Sequence, residues 1–167
     1  IASSCRPDVC ADTSLIQRGS EAKVQDLVDA IRVMKYLKST PDDGIVVSPI
    51  PLQHVVLVPY SDSSFANAPG GKTQGGLLLV AADGRDLSKP SMASIVDWKS
   101  FRVKRGVHST LSAEANSMDT AVDHAFYTSC FMGEITISTY RATTSQHAPI
   151  RFSPVTDCKS LYDAVIR

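Results

Sequence analysis

An apolar run followed at once by polar residues and turn formers most constrains how this chain can fold. Residues 55–58 are consecutive valines and a leucine, and the run gives way at Asp62 to serines and then to Pro69 and Gly70. A run of this length bounded by turn formers is typical of a buried strand. Because α/β folds gather ligands at the carboxyl ends of their strands, Asp62 is predicted to lie at such an edge.

A second stretch near the end of the sequence repeats this arrangement. Residues 150–157, IRFSPVTD, form another strand-like run that ends in Asp157. Both runs close with the pattern Pro-x-Ser/Thr-Asp, which begins at Pro59 in the first and at Pro154 in the second. The sequence therefore predicts two strands that each deliver one carboxylate to the sheet edge.

Composition limits the class of protein. The chain has 167 residues and a formal net charge of zero, so any contact with nucleic acid has to come from a local basic patch. The absence of an 18-residue apolar run predicts no membrane span. The four cysteines fit no zinc spacing, which predicts reduced thiols in an intracellular protein. Because residue 1 is Ile and no leader follows, a fragment without a secretory signal is expected.

Apolar periodicity and turn signals predict the order of elements. Helices are expected over residues 7–18 and 24–37, followed by a linker over 41–51. After the first strand, strands are expected over 77–82 and 94–98, a long helix over 111–135, the strand 150–157 and a helix over 159–167. The sequence thus predicts an α/β fold with a mixed sheet of three antiparallel strands and a parallel fourth strand reached through a helix. Residues 1–45 are expected to form a helical segment, and residues 52–167 the α/β domain.

Glu114 is predicted to lie in the first turn of the long helix, on the face turned toward the sheet. Together with Asp62 and Asp157 it forms a set of oxygen ligands that suits a divalent cation such as Mg²⁺. Each acid also has an ordinary structural explanation. Asp157 suits a helix cap, Asp62 a turn and Glu114 a helix dipole. Their shared position in this topology favours the metal site.

Two further sets of residues are candidates for contact with nucleic acid. Basic residues just before the long helix are candidates for binding phosphates, with a solvated charged loop as the alternative. Hydroxyl residues beside the two aspartates are candidates for contact with a ribose 2′-hydroxyl. The two sets are Lys99, Arg102, Lys104 and Arg105, and Ser61, Ser63 and Thr156. The four histidines show no metal-binding spacing and are predicted to be surface residues.

An ordered set of short motifs resembles the ribonuclease H domain, with its preceding connection segment, of copia-type LTR retrotransposon reverse transcriptases. The motifs cover nearly the whole chain, and their order and spacing carry the resemblance more than any single one does. In sequence order they are CRPDVCADTSLIQR, AIRVMKYLKST, YSDSSFA, KTQGG, DWKS, STLSAEA and TDCKSLYDA.

The resemblance implies a ribonuclease H-like fold and hydrolysis of the RNA strand of RNA/DNA hybrids. By motif position Asp62 matches the first catalytic aspartate, Glu114 the helix glutamate and Asp157 the third carboxylate. Two Mg²⁺ ions about 4 Å apart, for which Mn²⁺ can substitute, are implied, with Asp62 bridging both. The implied partners are the hybrid and the upstream polymerase portion of a Pol polyprotein, with no membrane. The implied location is intracellular, in the cytoplasm and virus-like particle or in the nucleus.

The sequence departs from the family pattern in three places. Ser64 stands where a second acid is usual, the paired glutamates reduce to Glu114, and the chain ends before the expected fourth carboxylate, so an incomplete domain is expected. These departures leave a second hypothesis open, in which the domain is a catalytically inactive structural or nucleic-acid-binding relic. A retroviral-type integrase core shares the general fold, but the upstream amphipathic helix and the WKS and AE segments favour ribonuclease H.

Overall fold

Three antiparallel strands form the central sheet. The structure is a computed structural model that describes residues 2–17, 22–68, 71–104, 106–145 and 147–166. The strands are β1 (Val55–Ala68), β2 (Lys72–Asp83) and β3 (Ala93–Arg102), in the order β1-β2-β3. This arrangement confirms a mixed α/β protein with three antiparallel strands in the predicted order.

In the described part of the chain, four helices accompany the sheet. A 3₁₀ turn (Pro7–Val9) leads into α1 (Cys10–Ile16), and α2 (Val24–Ser39) follows. The long helix α3 (Thr110–Thr136) comes after the sheet, and α4 (Lys159–Ile166) is the last element. Each lies where apolar periodicity predicts a helix, although residues 18 and 167, predicted helix ends, are outside the described residues. The Ser109 hydroxyl caps α3 by accepting the N–H of Ser112 at 3.1 Å.

Strand β1 is longer than its apolar pattern indicates. It does not end at Asp62, because residue pairing with β2 continues through Asp62↔Gly76 and Ser64↔Gln74 and resumes after an irregularity at Ala68↔Lys72. Backbone pairing needs no apolar side chains, so a hydrophobic run marks the buried part of a strand and not its full extent. Asp62 therefore lies within the strand, near the point where burial ends.

The helix α3 buries small side chains against the sheet. The sequence predicts that an apolar stripe of this helix faces the sheet, made of Ala115, Met118, Val122, Ala125, Phe126 and Cys130. This prediction is wrong in part, since Ala115 is exposed and Met118, Val122 and Phe126 are only partly buried. The residues buried along α3 recur at every fourth position after the first turn, which lets the helix backbone come close to the strands. The residues of this buried face are Ala113, Glu114, Ser117, Ala121, Ala125, Ser129 and Gly133.

Gly75 of β2 lies where α3 leaves no room for a side chain. A methyl group added to Gly75 would lie 2.6 Å from Ser117 Oγ and 2.8 Å from Cζ of Phe101. Farther along α3, Ala125 packs against Leu57 and Leu79 in the main apolar core. A residue without a side chain at position 75 therefore sets how closely the first half of α3 can pack.

The segment that was predicted as a fourth parallel strand is attached to β1 without forming a regular strand. Two isolated parallel bridges, Leu57↔Phe152 and Tyr60↔Val155, join it to β1, and Leu57 N–H donates to the carbonyl of Arg151 at 3.0 Å. Its start is fixed to α3, where Ser129 Oγ both donates to the Ile150 carbonyl and accepts the Ile150 N–H, each at 2.9 Å. The segment therefore runs in the same direction as β1.

The N-terminal segment packs against the other face and the β3 side of the sheet. Gln74 Nε2 donates to Ser14 Oγ at 2.8 Å, and Trp98 Nε1 donates to the Ala2 carbonyl at 2.7 Å. Val56, Val58 and Ala82 form a second, small apolar cluster within the sheet. The division into segments 1–45 and 52–167 stays a prediction, although these hydrogen bonds connect the two.

The buried guanidinium of Arg6 joins the start of the chain to the end of α2. It donates to the Thr40 carbonyl at 2.9 Å and to the Asp8 carboxylate at 2.8 Å. The hydrogen bond from Arg6 lowers the pKa of Asp8 to about 2. These contacts fix one end of α2 and leave its apolar face uncovered.

Apolar residues at helical spacing predict a stripe along α2, and most of this stripe is exposed to solvent. The stripe consists of Val24, Leu27, Val28, Ile31, Met34 and Leu37. The sequence pattern requires a partner for this face, and among the described residues the partner is largely missing. Leu37 is partly buried, whereas the other stripe residues have between 44 % and 81 % of their surface exposed. The exposed members are Val24, Leu27, Val28, Ile31 and Met34.

We expect Gly75→Ala to destabilise the protein by about 1–3 kcal/mol, because the added methyl overpacks the contact between β2 and α3. Gly76→Ala is the matched control. The nearest atom to a methyl at that position is the Asp62 carbonyl oxygen at 4.0 Å. Chemical denaturation of both variants measures the difference. Equal stability of the two would show that Gly75 does not set the helix–sheet distance.

Candidate metal centre

Three carboxylates from separate elements meet at one end of the sheet. Ligand oxygens of Asp62 on β1, Glu114 on α3 and Asp157 before α4 all lie within 4.8 Å of one another. Asp62 and Asp157 are exposed, whereas Glu114 is buried. The structure thus brings together the three residues that the sequence singles out as ligands.

The parallel register with β1 explains why Asp157 comes to Asp62. In the bridge Tyr60↔Val155 each residue precedes its aspartate by two positions, so Asp157 comes opposite Asp62 when the register is continued. The shared Pro-x-Ser/Thr-Asp patterns are therefore aligned side by side. Two similar sequences deliver two carboxylates to the same place because they run in the same direction and in register.

Glu114 is the buried member of the group. Only 5 % of its surface is exposed, and its Oε1 accepts a hydrogen bond from Ser63 Oγ at 2.8 Å. Its other oxygen, Oε2, is buried without a hydrogen-bond partner among the described residues. A buried carboxylate oxygen without a donor is costly, and a bound cation removes that cost.

Burial and neighbouring charge raise the pKa of Glu114. Burial is the largest cause, and the charges of Asp62 and Asp157 act in the same direction, while the hydrogen bond from Ser63 opposes them. Burial and the two aspartate charges disfavour the charged carboxylate, whereas the hydrogen bond from Ser63 favours it. A divalent cation among these oxygens would offset both burial and repulsion.

The donor set fits a hard cation. All three residues supply carboxylate oxygens, which are the ligands of Mg²⁺, Ca²⁺ and Mn²⁺, and the unpartnered oxygen of Glu114 has no donor among the described residues. Two of the three side chains are exposed, which leaves room for water and for a phosphate oxygen. The residues present therefore fit a Mg²⁺ site.

The three hydroxyl residues beside the aspartates occupy different environments. Ser61 is buried and its hydroxyl donates to Met118 Sδ at 3.7 Å. Thr156 Oγ1 accepts the N–H of Cys158 at 3.1 Å. The hydroxyl of Ser63 donates a hydrogen bond to Oε1 of Glu114 at 2.8 Å. Contact of these residues with a 2′-hydroxyl stays a prediction.

Basic residues line an open groove of about 1040 Å³ between β3 and α3. Lys99, Arg102 and Lys104 contribute to its wall on the β3 side, and Asn116, two residues beyond Glu114, contributes on the α3 side. The Lys99 ammonium also lies 5.7 Å from the centre of the Phe101 ring. Arg105, the fourth basic candidate, is outside the described residues. Exposed acids, Asp119 and Asp123, lie on the same groove and reduce its positive charge.

Sequence reasoning missed a contact between His124 and Asp97. The imidazole Nδ1 of His124 on α3 lies 2.6 Å from Oδ2 of Asp97 on β3, and both side chains are partly exposed. A histidine on a helix and an aspartate on a strand 27 residues earlier give no local sequence signal. The pair connects α3 to β3 beside the groove.

No disulfide joins the four cysteines, all of which lie among the described residues. Within the described part of the chain, every helix is too short or too polar to cross a membrane. A scan against protein-family models, a search of curated proteins and a search of solved structures each return no match for this chain.

We expect Glu114→Gln to stabilise the cation-free protein at neutral pH. Because the folded protein raises the pKa of Glu114, wild-type stability falls as the pH rises from the ordinary glutamate value of 4.5 through the raised value. A glutamine side chain carries no charge, so the Glu114→Gln variant should lose less stability over that range. Melting temperatures in EDTA from pH 4 to pH 8 measure the effect.

Asp119→Asn, which removes an exposed acid from the same helix, is the control for this measurement. Addition of Mg²⁺ should recover stability in the wild type and much less in Glu114→Gln. If the melting temperatures of the wild type and Glu114→Gln change equally with pH, position 114 does not hold a buried charged carboxylate.

Proposed function

We propose that this chain is a divalent-cation-dependent nuclease domain that hydrolyses the RNA strand of RNA/DNA hybrids. The observation that carries the proposal is the meeting of Asp62, Glu114 and Asp157, with the buried Oε2 of Glu114 unpartnered among the described residues. The ordered motifs that resemble copia-type ribonuclease H support the hybrid as the substrate. A ribonuclease H-like mixed sheet, in which residues 150–157 serve as the parallel fourth strand, is part of the same proposal.

The three acids would hold the cations and define where the scissile phosphate lies. Two bound Mg²⁺ ions would supply an activated water and neutralise the departing 3′ oxygen. Asp62 on β1, Glu114 on α3 and Asp157 before α4 would hold the cations together. Ser63 donates a hydrogen bond to Oε1 of Glu114, which would limit the movement of this carboxylate and leave its second oxygen to bind a cation.

The basic groove would hold the nucleic-acid backbone beside the acids. Lys99, Arg102 and Lys104 supply positive charge, and Asn116 connects the groove to the first turns of α3. Contacts of this kind bind phosphates without reading sequence. The groove therefore supports the proposal that the substrate is recognised by its phosphate backbone and its shape.

The exposed apolar face of α2 supports a protein partner. An amphipathic helix with its apolar stripe in solvent needs a covering surface. The upstream polymerase portion of the same polyprotein is the partner that the resemblance implies. An intracellular location, cytoplasmic or nuclear, is proposed on the same basis.

A nucleic-acid-binding relic without catalysis is the second candidate. The observation that favours it is Ser64, which follows Asp62 by two positions, is exposed and carries no carboxylate. The groove does not depend on the acids, so binding can persist without cleavage. The two candidates differ in one measurable property, which is hydrolysis of a labelled hybrid in Mg²⁺ or Mn²⁺.

We expect Asp62→Asn, Glu114→Gln and Asp157→Asn each to reduce hybrid cleavage by at least about 10–100-fold, since loss of even an indirect metal partner has that effect. Binding of the hybrid should persist. Asp12→Asn, on α1, removes an exposed acid remote from the site and is the control. Wild-type cleavage by any of the three variants removes that residue from the site. If the wild type binds the hybrid tightly without cleaving it, the second candidate function, a nucleic-acid-binding relic, is the correct one.

We expect Lys99→Ala, Arg102→Ala and Lys104→Ala to weaken hybrid binding evenly across sequences. Each lost phosphate contact should reduce the slope of log affinity against log salt by about 1. Fluorescence anisotropy at several salt concentrations measures the slope. Lys89→Ala is the control, because that lysine pairs with Asp86 in the loop between β2 and β3. Unchanged slopes in all three variants would show that the hybrid does not bind in the groove.

A further inference from the structure

We infer that Ser63 is a positioning residue that fixes Asp62 and Glu114 relative to each other and leaves Oε2 of Glu114 for a divalent cation. The inference rests on the proposed cation site and deepens it. The sequence also makes Ser63 a candidate for contact with a ribose 2′-hydroxyl, and that contact stays a prediction beside the positioning role.

A single residue holds both acids. The backbone N–H of Ser63 donates to Oδ1 of Asp62 at 2.8 Å, and the hydroxyl of Ser63 donates to Oε1 of Glu114 at 2.8 Å. The two acids belong to different elements, β1 and α3, and residue 63 joins them. One oxygen of each carboxylate is therefore fixed before any cation arrives.

The position of Ser63 in the sheet makes the contact with α3 direct. Ser63 pairs with Gly75 across the β1–β2 ladder, and a methyl group at Gly75 would lie only 2.6 Å from Ser117 Oγ of α3. Because side chains alternate along a strand, Ser63 is on the same face as Ser61, which contacts Met118 of α3. A short hydroxyl at this position spans the remaining distance to Glu114.

The hydrogen bonds determine which oxygens remain for a cation. A carboxylate has two oxygens, and Glu114 uses Oε1 for Ser63 while Oε2 stays buried without a partner among the described residues. A ligand oxygen that is oriented in advance costs less to order when the cation binds. Removal of the hydroxyl would free Glu114 to rotate and would weaken the cation site without removing any ligand.

The Ser63 hydroxyl can donate only one hydrogen bond, and it donates that bond to Glu114. A methyl side chain at position 63 removes the donor, whereas threonine keeps a hydroxyl and suits a strand. Ser64, the exposed next residue, is a matched control, because alternation along β1 directs its side chain to the opposite face. Ser63→Ala, Ser63→Thr and Ser64→Ala together distinguish the effect of losing the Ser63 hydroxyl from the general effect of a substitution in this part of β1.

The experiment titrates Mn²⁺ into the whole chain and measures free Mn²⁺ by electron paramagnetic resonance, alongside melting temperatures in EDTA. Ser63→Ala should weaken Mn²⁺ binding by about 10-fold, the lower end for residues that orient ligands. Ser63→Thr and Ser64→Ala should bind like the wild type. In a Glu114→Gln background, Ser63→Ala should have little further effect on affinity, since the oriented ligand is already lost.

Wild-type Mn²⁺ affinity in folded Ser63→Ala would overturn the inference and leave the proposed nuclease intact. An equal loss of affinity in Ser63→Thr would also overturn it, because the hydroxyl would then not be the cause. Absence of Mn²⁺ binding by the wild type would overturn the inference together with the cation site. Normal Mn²⁺ binding that depends on the Ser63 hydroxyl, without hybrid cleavage, would uphold the inference and reject the nuclease.

Discussion

The close approach of α3 to the sheet is the constraint on which the rest of this structure depends. Small residues along α3 and the missing side chain at Gly75 let the helix backbone lie near β2. Glu114 lies on that same face as the fifth residue of α3, just past the first turn in which the sequence places it, because the helix begins at Thr110. The packing that forms the core therefore also buries the carboxylate. A helix held farther away by larger side chains would leave Glu114 in solvent and out of reach of Ser63.

The position of Asp157 depends on two backbone attachments that precede it. Ser129 fixes Ile150 to α3, and the bridges at Phe152 and Val155 fix the direction and register beside β1. Because the chain is tied at these points, the next residues have few alternative paths and Asp157 comes opposite Asp62. The third carboxylate is thus placed by backbone pairing and one buried serine, without contacts of its own side chain having to guide it.

The sequence pattern predicted the order of the elements and singled out the three acids, and it failed where small or polar residues decide the structure. It misplaced the buried face of α3, because Ser117 and Ser129 are buried while Ala115 is not. It ended β1 at Asp62, although pairing with β2 continues. The hydrogen bond from Ser63 to Glu114 and the His124–Asp97 pair join residues distant in sequence, so no local pattern predicts them.

The fold keeps a charge-bearing group where it is costly unless a cation is bound. Burial alone would favour a protonated Glu114, and the two neighbouring aspartates add repulsion. A residue retained only for packing would be less costly as glutamine or an apolar side chain, since a buried carboxylate with a free oxygen weakens the core. The Ser63 hydroxyl opposes the penalty in part and orients the group at the same time. On the proposed function, a bound divalent cation would recover the free energy that burial of Glu114 costs in the cation-free protein, and stability would be coupled to cation affinity.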